Sequence, residues 1–320
     1  MEIKDSIIDE LCDLLVSNYD YNKSVTPGIA NIVPRTKNRI IFIIGAGASN
    51  AADGLPLGDE LGEMIETELI SCIPGYREKL EEEIVKLSSL HPINNRKNFR
   101  TIAFASSNID RRKTIDIVKD KLVSNLTNNY AYDILAYLLC SGYIDAIISF
   151  NFDEIFDNIL HSYSYSKKII QINCDKDISS SYFDLPINSN HCHIPIYIKA
   201  HGTLSKEETL RFARSDNHRF QPLTYETMKR MFETENLKII TVGFKLKFLE
   251  MSKLISENAK TNSEVFLIDK DEDIIDINIE PLYKGKFLQV TDNMSLDMVF
   301  RLLKDKLVKK QDLALFVQQS

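Results

Sequence analysis

The hydrophobic pattern of the chain predicts an α/β fold, a doubly wound parallel sheet with a helical insertion. Three observations point there. A short apolar run from Arg39 to Gly45 is rich in β-branched residues and ends in glycine, as a strand buried on both faces does. Four more strand-like runs come later, at Tyr143–Asn151, Ile196–His201, Leu237–Gly243 and Glu264–Asp269, with helical stretches between several of them. Strands alternating with helices call for right-handed crossovers and a parallel sheet. Between the first strand and the second, about residues 78–139 are charged and mostly helical in pattern, with no strong strand signal. That segment reads as an insertion or small subdomain.

The remaining elements can be taken in chain order. Residues 1–20 place Ile7, Ile8, Leu11, Leu14 and Leu15 on one side of a helix. A loop with Pro27, Gly28 and Pro34 leads into the first strand. After Pro56, the residues Leu57, Leu61, Met64, Ile65 and Leu69 recur at helical spacing. Further helices are predicted at Asp153–Leu160, Leu223–Glu233 and Leu246–Glu257. The polar, serine-rich stretch from Asp175 to Asn190 reads as a long loop. Ser295–Lys309 reads as a closing helix with Leu296, Met298, Val299, Leu302 and Leu303 on its apolar face. The expected division is an N-terminal helical segment over 1–38, a main domain over 39–292 and a C-terminal helix over 293–320.

Composition narrows the function classes. A chain of 320 residues with 44% hydrophobic and 27% charged residues is an ordinary globular protein with room for a large core. A net charge of -7 supplies no global field for nucleic acid. The short basic clusters, at Asn95–Arg100 and Arg111-Arg112-Lys113, read as solvated faces, and no direct nucleic-acid binding is expected. The 5 cysteines, Cys12, Cys72, Cys140, Cys174 and Cys192, contain no closely spaced pair, against a disulfide framework or a cysteine-based zinc site. His191-Cys192-His193 combines metal-ligand types, but neighbours on an extended chain point to opposite faces, so no metal is expected there. His91, His161 and His218 stand singly. The acidic, amphipathic N-terminus is unlike a signal peptide, and no apolar stretch is long enough for a bilayer. A cytoplasmic protein is the expectation.

The most informative motif is the glycine turn. The first strand runs straight into Gly45-Ala46-Gly47-Ala48-Ser49-Asn50. Glycines at the first and third places permit a tight turn and a close backbone approach to a pyrophosphate, with the next helix aiming its positive end at the phosphates. This is a Rossmann-like signal with two departures from the dehydrogenase fingerprint. Asn50 stands where a third glycine belongs, and no acid closes a second strand about 20 residues on. A nucleotide site is expected; hydride transfer is not.

The residues after the glycines resemble a known family. Ser49 and then Gly54-Leu55-Pro56 continue the turn in the manner of the sirtuin signature, Gly-Ala-Gly-x-Ser with Gly-(Ile/Leu)-Pro after it. Ser149-Phe150-Asn151-Phe152-Asp153 resembles the sirtuin segment whose Asn and Asp face the nicotinamide end of NAD. Ala200-His201-Gly202 resembles the family's His-Gly with its catalytic histidine. Thr241-Val242-Gly243-Phe244 and Ile268-Asp269 look like the later segments on the phosphate and adenosine side. The resemblance spans about residues 39–270, with each motif at a strand's carboxyl end, where open α/β sheets hold ligands. The departures are specific. The zinc-binding cysteine pairs of the deacetylases are missing, Leu57-Gly58 replaces their Phe-Arg, and Lys245 and Phe248 stand where a Ser and an Asp often come after the late glycine. The pattern is closer to sirtuin-like proteins of bacterial antiphage systems, which hydrolyse NAD.

The resemblance implies an NAD glycohydrolase, with NAD as substrate and no metal. It implies His201 as base, Asn151 orienting water or ribose, Asp153 binding the nicotinamide amide or fixing the loop, and Ser49 with the backbone of Gly45, Ala46 and Gly47 holding phosphate. Asp53, Gly243 and Asp269 complete the expected binding set. An imidazole suits such a base because its ordinary pKa lies near neutrality. Asn151 or Asp153 also reads as a helix cap. Two other functions compete: a module that senses NAD or ADP-ribose without turnover, and protein deacylation. A toxic hydrolase needs restraint, so a homo-oligomer or a co-encoded regulatory or sensor partner is expected.

Overall fold

The computed structural model describes residues 2–24, 39–90, 99–123, 129–163, 169–178, 195–212, 220–246, 249–260, 262–272, 278–291 and 294–319. His91, the His191-Cys192-His193 cluster, His218, Phe248 and the loop with Pro27 and Pro34 lie outside them.

The sheet starts with β1 (Arg39–Ile44), every residue of which is buried. Its even and odd positions serve different layers. Ile40, Phe42 and Ile44 face one core with Ile147, Tyr197, Ile240 and Phe266; Ile41 and Ile43 face the other with Ile148, Ile198, Ile239 and Leu267. A strand with two buried faces has no place for the polar alternation of a surface strand, hence the continuous apolar run.

After β1 come five helices: α2 (Ala46–Asp53), α3 (Gly58–Cys72), α4 (Tyr76–Leu90), α5 (Phe99–Lys121) and α6 (Tyr130–Cys140). Gly54 ends α2 in the left-handed region at φ 63°, where glycine carries no side-chain penalty. The helical reading of residues 78–139 matches α4 to α6, but α6 is no charged surface insertion. Ala131, Tyr132, Ile134, Leu135, Ala136, Leu138 and Leu139 are all buried in it.

The chain continues through β2 (Ala146–Ser149), α7 (Ile155–Ser162), β3 (Ile170–Ile172), β4 (Ile196–Lys199), α8 (Pro222–Phe232), β5 (Leu237–Val242), α9 (Leu249–Asn258), β6 (Glu264–Asp269), β7 (Tyr283–Gln289) and α10 (Leu296–Gln319). The seven strands lie in the order β3-β4-β2-β1-β5-β6-β7, and every neighbouring pair is parallel. On one side of β1 the chain builds β2, then the edge strand β3, then β4 between the two; it crosses over to build β5, β6 and β7 on the other side. The doubly wound expectation holds, and the order reverses direction beside β1. Helices α8 and α9 cover one face; α1 (Glu2–Ser24), α3, α6, α7 and α10 cover the other.

Sequence pattern missed the two edge strands. β3 has three residues, and β7 carries Lys284, Gly285 and Lys286 in a run that is mostly half-buried or exposed. Sheets blunt their edges with very short strands or with lysines, and such strands lack the apolar signature of the centre. The basic residues Arg111 and Arg112 are engaged, Arg111 over the Phe212 ring and Arg112 with Asp116 and Glu207. Among the described residues, no helix is long and apolar enough to cross a membrane.

Candidate active site above the carboxyl ends of the strands

In an open parallel sheet, the loops leaving the strands' carboxyl ends diverge where the strand order reverses, and a crevice opens there. A cavity of about 710 Å³ lies at that place. Its volume is within the usual range for small-molecule and cofactor sites. The cavity gathers the ends of β1, β2, β4, β5 and β6: Gly45, Ala46 and Gly47; Asn151 and Asp153; His201; Gly243; and Asp269. Ser49 lines it from below, only 1% exposed. Every other residue expected of the site borders one space; Asp53 ends α2, and its side chain lies outside the described structure.

The glycines act chiefly by allowing contact between two turns. A Cβ on Gly45 would lie 2.6 Å from the Gly243 carbonyl oxygen, and one on Gly47 would lie 2.9 Å from the Gly243 Cα. Gly243 itself has φ +57°, and its Cβ would meet the Ala48 nitrogen at 2.3 Å. The N–H groups of Gly45 and Gly47 already donate to the carbonyls of Val242 and Gly243. The phosphate donors expected of these two residues are thus committed to joining β1 to β5. Asn50, in the place of the third fingerprint glycine, donates through Nδ2 to the Leu55 carbonyl and holds the turn around Gly54.

Ser49 also has a different setting from the one expected. Its hydroxyl lies 2.7 Å from the Tyr132 hydroxyl and 2.9 Å from Asp153 Oδ2, inside a buried polar cluster. Asn151 completes the cluster. Its Nδ2 lies 3.0 Å from each of the Gly45 carbonyl, the Ser49 hydroxyl and the Tyr132 hydroxyl. A carbonyl only accepts, so Nδ2 must face it and the amide orientation is fixed. Asn151 Oδ1 is buried with no hydrogen-bond partner among the described residues. A buried acceptor without a partner is costly, and in a residue lining a cavity it is a place for a ligand donor.

Asp153 touches both the site and the next helix. Oδ2 accepts from Ser49, and Oδ1 accepts from the Ile155 N–H in the first turn of α7, so the capping and site readings coexist. Burial raises its carboxyl above the ordinary value, against the pull of the Lys199 ammonium and the Ser49 hydrogen bond. Lys199 escaped notice in the sequence. It is fully buried, pairs with Asp157 at 3.1 Å and donates to the carbonyls of Phe152 and Asp153, which holds the Asn151 loop from beneath. A lysine closing the otherwise uncharged strand Ile196–Lys199 was the available signal, because lysine is almost never buried unpaired.

His201 sits in an aromatic slot. Its ring is stacked with Phe152 at 5.9 Å and Phe220 at 6.0 Å, and meets Phe150 edge-on at 5.1 Å. Phe150 and Phe152 flank Asn151, so the histidine from β4 is seated against the loop that carries the asparagine from β2. Glu154 ties the same two loops together by accepting from Thr203 and Ser205. Further round, the cavity is lined by Arg211, Leu57 and the edge-on pair Phe99 and Phe212, and by Lys245, Lys270 and Asp271 near Asp269. Burial raises the Asp269 carboxyl as well, against the backbone N–H groups of Lys270 and Asp271. Among the described residues, no three His, Cys, Asp or Glu side chains are grouped as a metal site.

No family model matches the chain, and no curated protein matches it. It is similar to solved structures of Sir2 proteins. A Sir2 enzyme shares 11% identity over 95% of this chain and 99% of the other, with a TM-score of 0.43. A Sir2 homologue in complex with NAD shares 14% over 85% and 91%, with a TM-score of 0.46. A mutant Sir2 homologue in complex with ADP-ribose shares 13% over 92% and 97%, with a TM-score of 0.48.

Proposed function

We propose that the cavity binds NAD and that the chain hydrolyses the bond between nicotinamide and ribose, giving nicotinamide and ADP-ribose. The observation that carries this reading is the seating of His201 against the Asn151 loop, in one cavity above the glycine turn. In the reaction the C–N bond breaks and its electrons leave with nicotinamide. Water forms the new C–O bond at the anomeric carbon, and His201 takes the water's proton. Asn151, whose amide faces its oxygen away from Gly45, accepts a hydrogen bond from that water or from a ribose hydroxyl. Asp153 keeps the loop in place through Ser49 and α7. Phe150, Phe152, Phe212 and Phe99 give the cavity apolar walls that limit water around the reacting centre.

The resemblance to sirtuin-like antiphage proteins extends the proposal to a defence effector that depletes NAD, restrained by self-assembly or by a regulatory partner. The test is release of nicotinamide by the purified chain, alone and in cell extract from infected cultures. His201→Ala is expected to lower release at least 100-fold, the range of a lost general base, with the fold retained as read by circular dichroism. An active His201→Ala variant overturns the mechanism. NAD recovered intact after long incubation identifies a sensor in place of a hydrolase, and acetyl-ADP-ribose formed with an acetylated peptide identifies a deacylase.

A further inference from the structure

We infer that Tyr132 is a positioning residue for Asn151: it accepts from the amide nitrogen that the Gly45 carbonyl orients, and through a chain of hydrogen bonds it holds that amide in place for the ligand. The inference rests on the hydrolase reading for its kinetic effect alone.

The protons of the buried cluster can be assigned one by one. Asn151 has two N–H donors, and one goes to the Gly45 carbonyl, which cannot return a proton. The other reaches the oxygens of Tyr132 and Ser49, each at 3.0 Å. Ser49 donates its proton to Asp153 Oδ2 at 2.9 Å. The Tyr132 proton then goes to Ser49 at 2.7 Å, and the tyrosine oxygen is left to accept from Asn151. The chain runs in one direction, from amide to phenol to hydroxyl to carboxylate. Chains of this kind polarise one another and strengthen each link. Reversing the amide would set its oxygen against the Gly45 carbonyl and break the sequence at its first step.

The tyrosine reaches this place from α6, whose other inward side chains are aliphatic. Its ring packs edge-on against Phe156 at 5.5 Å, a contact that needs no hydroxyl. The oxygen alone therefore separates positioning from packing.

Tyr132→Phe removes that oxygen and keeps the ring. In the full chain, kcat for nicotinamide release is expected to fall about tenfold, the rate equivalent of one neutral hydrogen bond. KM for NAD is expected to stay within about twofold. On an Asn151→Ala background the same change is expected to cost nothing more, because Tyr132 acts through the amide. An unchanged kcat, or an equal further loss in the double variant, overturns the inference. A second readout needs no turnover. The side-chain amide protons of Asn151, assigned in a proton–nitrogen correlation spectrum by their loss in Asn151→Ala, should exchange faster with solvent in Tyr132→Phe than in the wild type. If the wild type releases no nicotinamide, the hydrolase reading fails, and exchange alone decides the role of Tyr132. Unchanged exchange overturns it.

Discussion

The two ends of β6 treat a carboxylate in opposite ways. At its start, Glu264 is met by Lys238 at 2.7 Å and by Lys284 and Lys286 at 2.9 Å each, with Glu10 of α1 on the far side of Lys286. Burial alone would raise its pKa, but the three ammonium groups outweigh that and bring it to about 2. At the strand's other end, Asp269 borders the cavity, and burial raises its carboxyl. One end is a clasp joining β5, β6 and β7 to α1. The other is held in a less favourable charge state by its surroundings. Carboxyl groups left in that condition are found where a protein meets a ligand more often than where it holds itself together.

The largest effect that sharpens this contrast concerns backbone. Gly243→Ala, at the cavity end of the neighbouring strand, adds a Cβ at positive φ into the Ala48 nitrogen. The expected cost is about 3 kcal/mol or more, read as a lowered thermal midpoint. A variant as stable as the wild type would show that the two turns need not touch.

Next comes the clasp. Glu264→Gln should cost up to about 3 kcal/mol at pH 7, since the side chain is only 16% exposed and leaves lysines facing one another. A carboxyl depressed from 4.5 to about 2 stabilises the fold above the upper value, and loses that contribution as pH falls toward the lower one. The wild type should lose stability across that window, and the variant should show a shallower slope in acid unfolding. Equal slopes would make the clasp ornamental.

The smallest effect has the opposite sign. A raised carboxyl pKa favours the fold at low pH and opposes it as pH rises through the folded value. Asp269→Asn should therefore not lower the thermal midpoint at pH 7, while weakening NAD or ADP-ribose affinity measured by calorimetry. A drop in stability with affinity intact would reverse the comparison between the two ends.

Much of this was legible in the sequence because the central strands are buried on both faces. Continuous apolar runs ending in Gly45, Asn151, His201, Gly243 and Asp269 declare a parallel sheet and mark the edge where its loops open. The edge strands were not legible, since β3 is too short and β7 too polar to stand out from loop. The strand-end residues picked out by pattern border one cavity, while the contact that two of them make is invisible to pattern. Gly45 and Gly47 serve a backbone contact with Gly243, nearly 200 positions away, which no local pattern records. Tyr132 was hidden for a related reason. It sits among Ala131, Ile134, Leu135 and Leu138, where a tyrosine looks like core, and its hydroxyl partner Ser49 is 83 positions distant.

The walls of the cavity are drawn from residues 45 to 296, through five strand ends and the first turn of α10. No shorter stretch of the chain contains the site, so a molecule that fits it recognises the finished fold and nothing less. Saturating such a molecule must pull the unfolding equilibrium toward the native form by mass action. A shift in melting temperature on adding a nucleotide would accordingly screen for the natural ligand before any reaction is known.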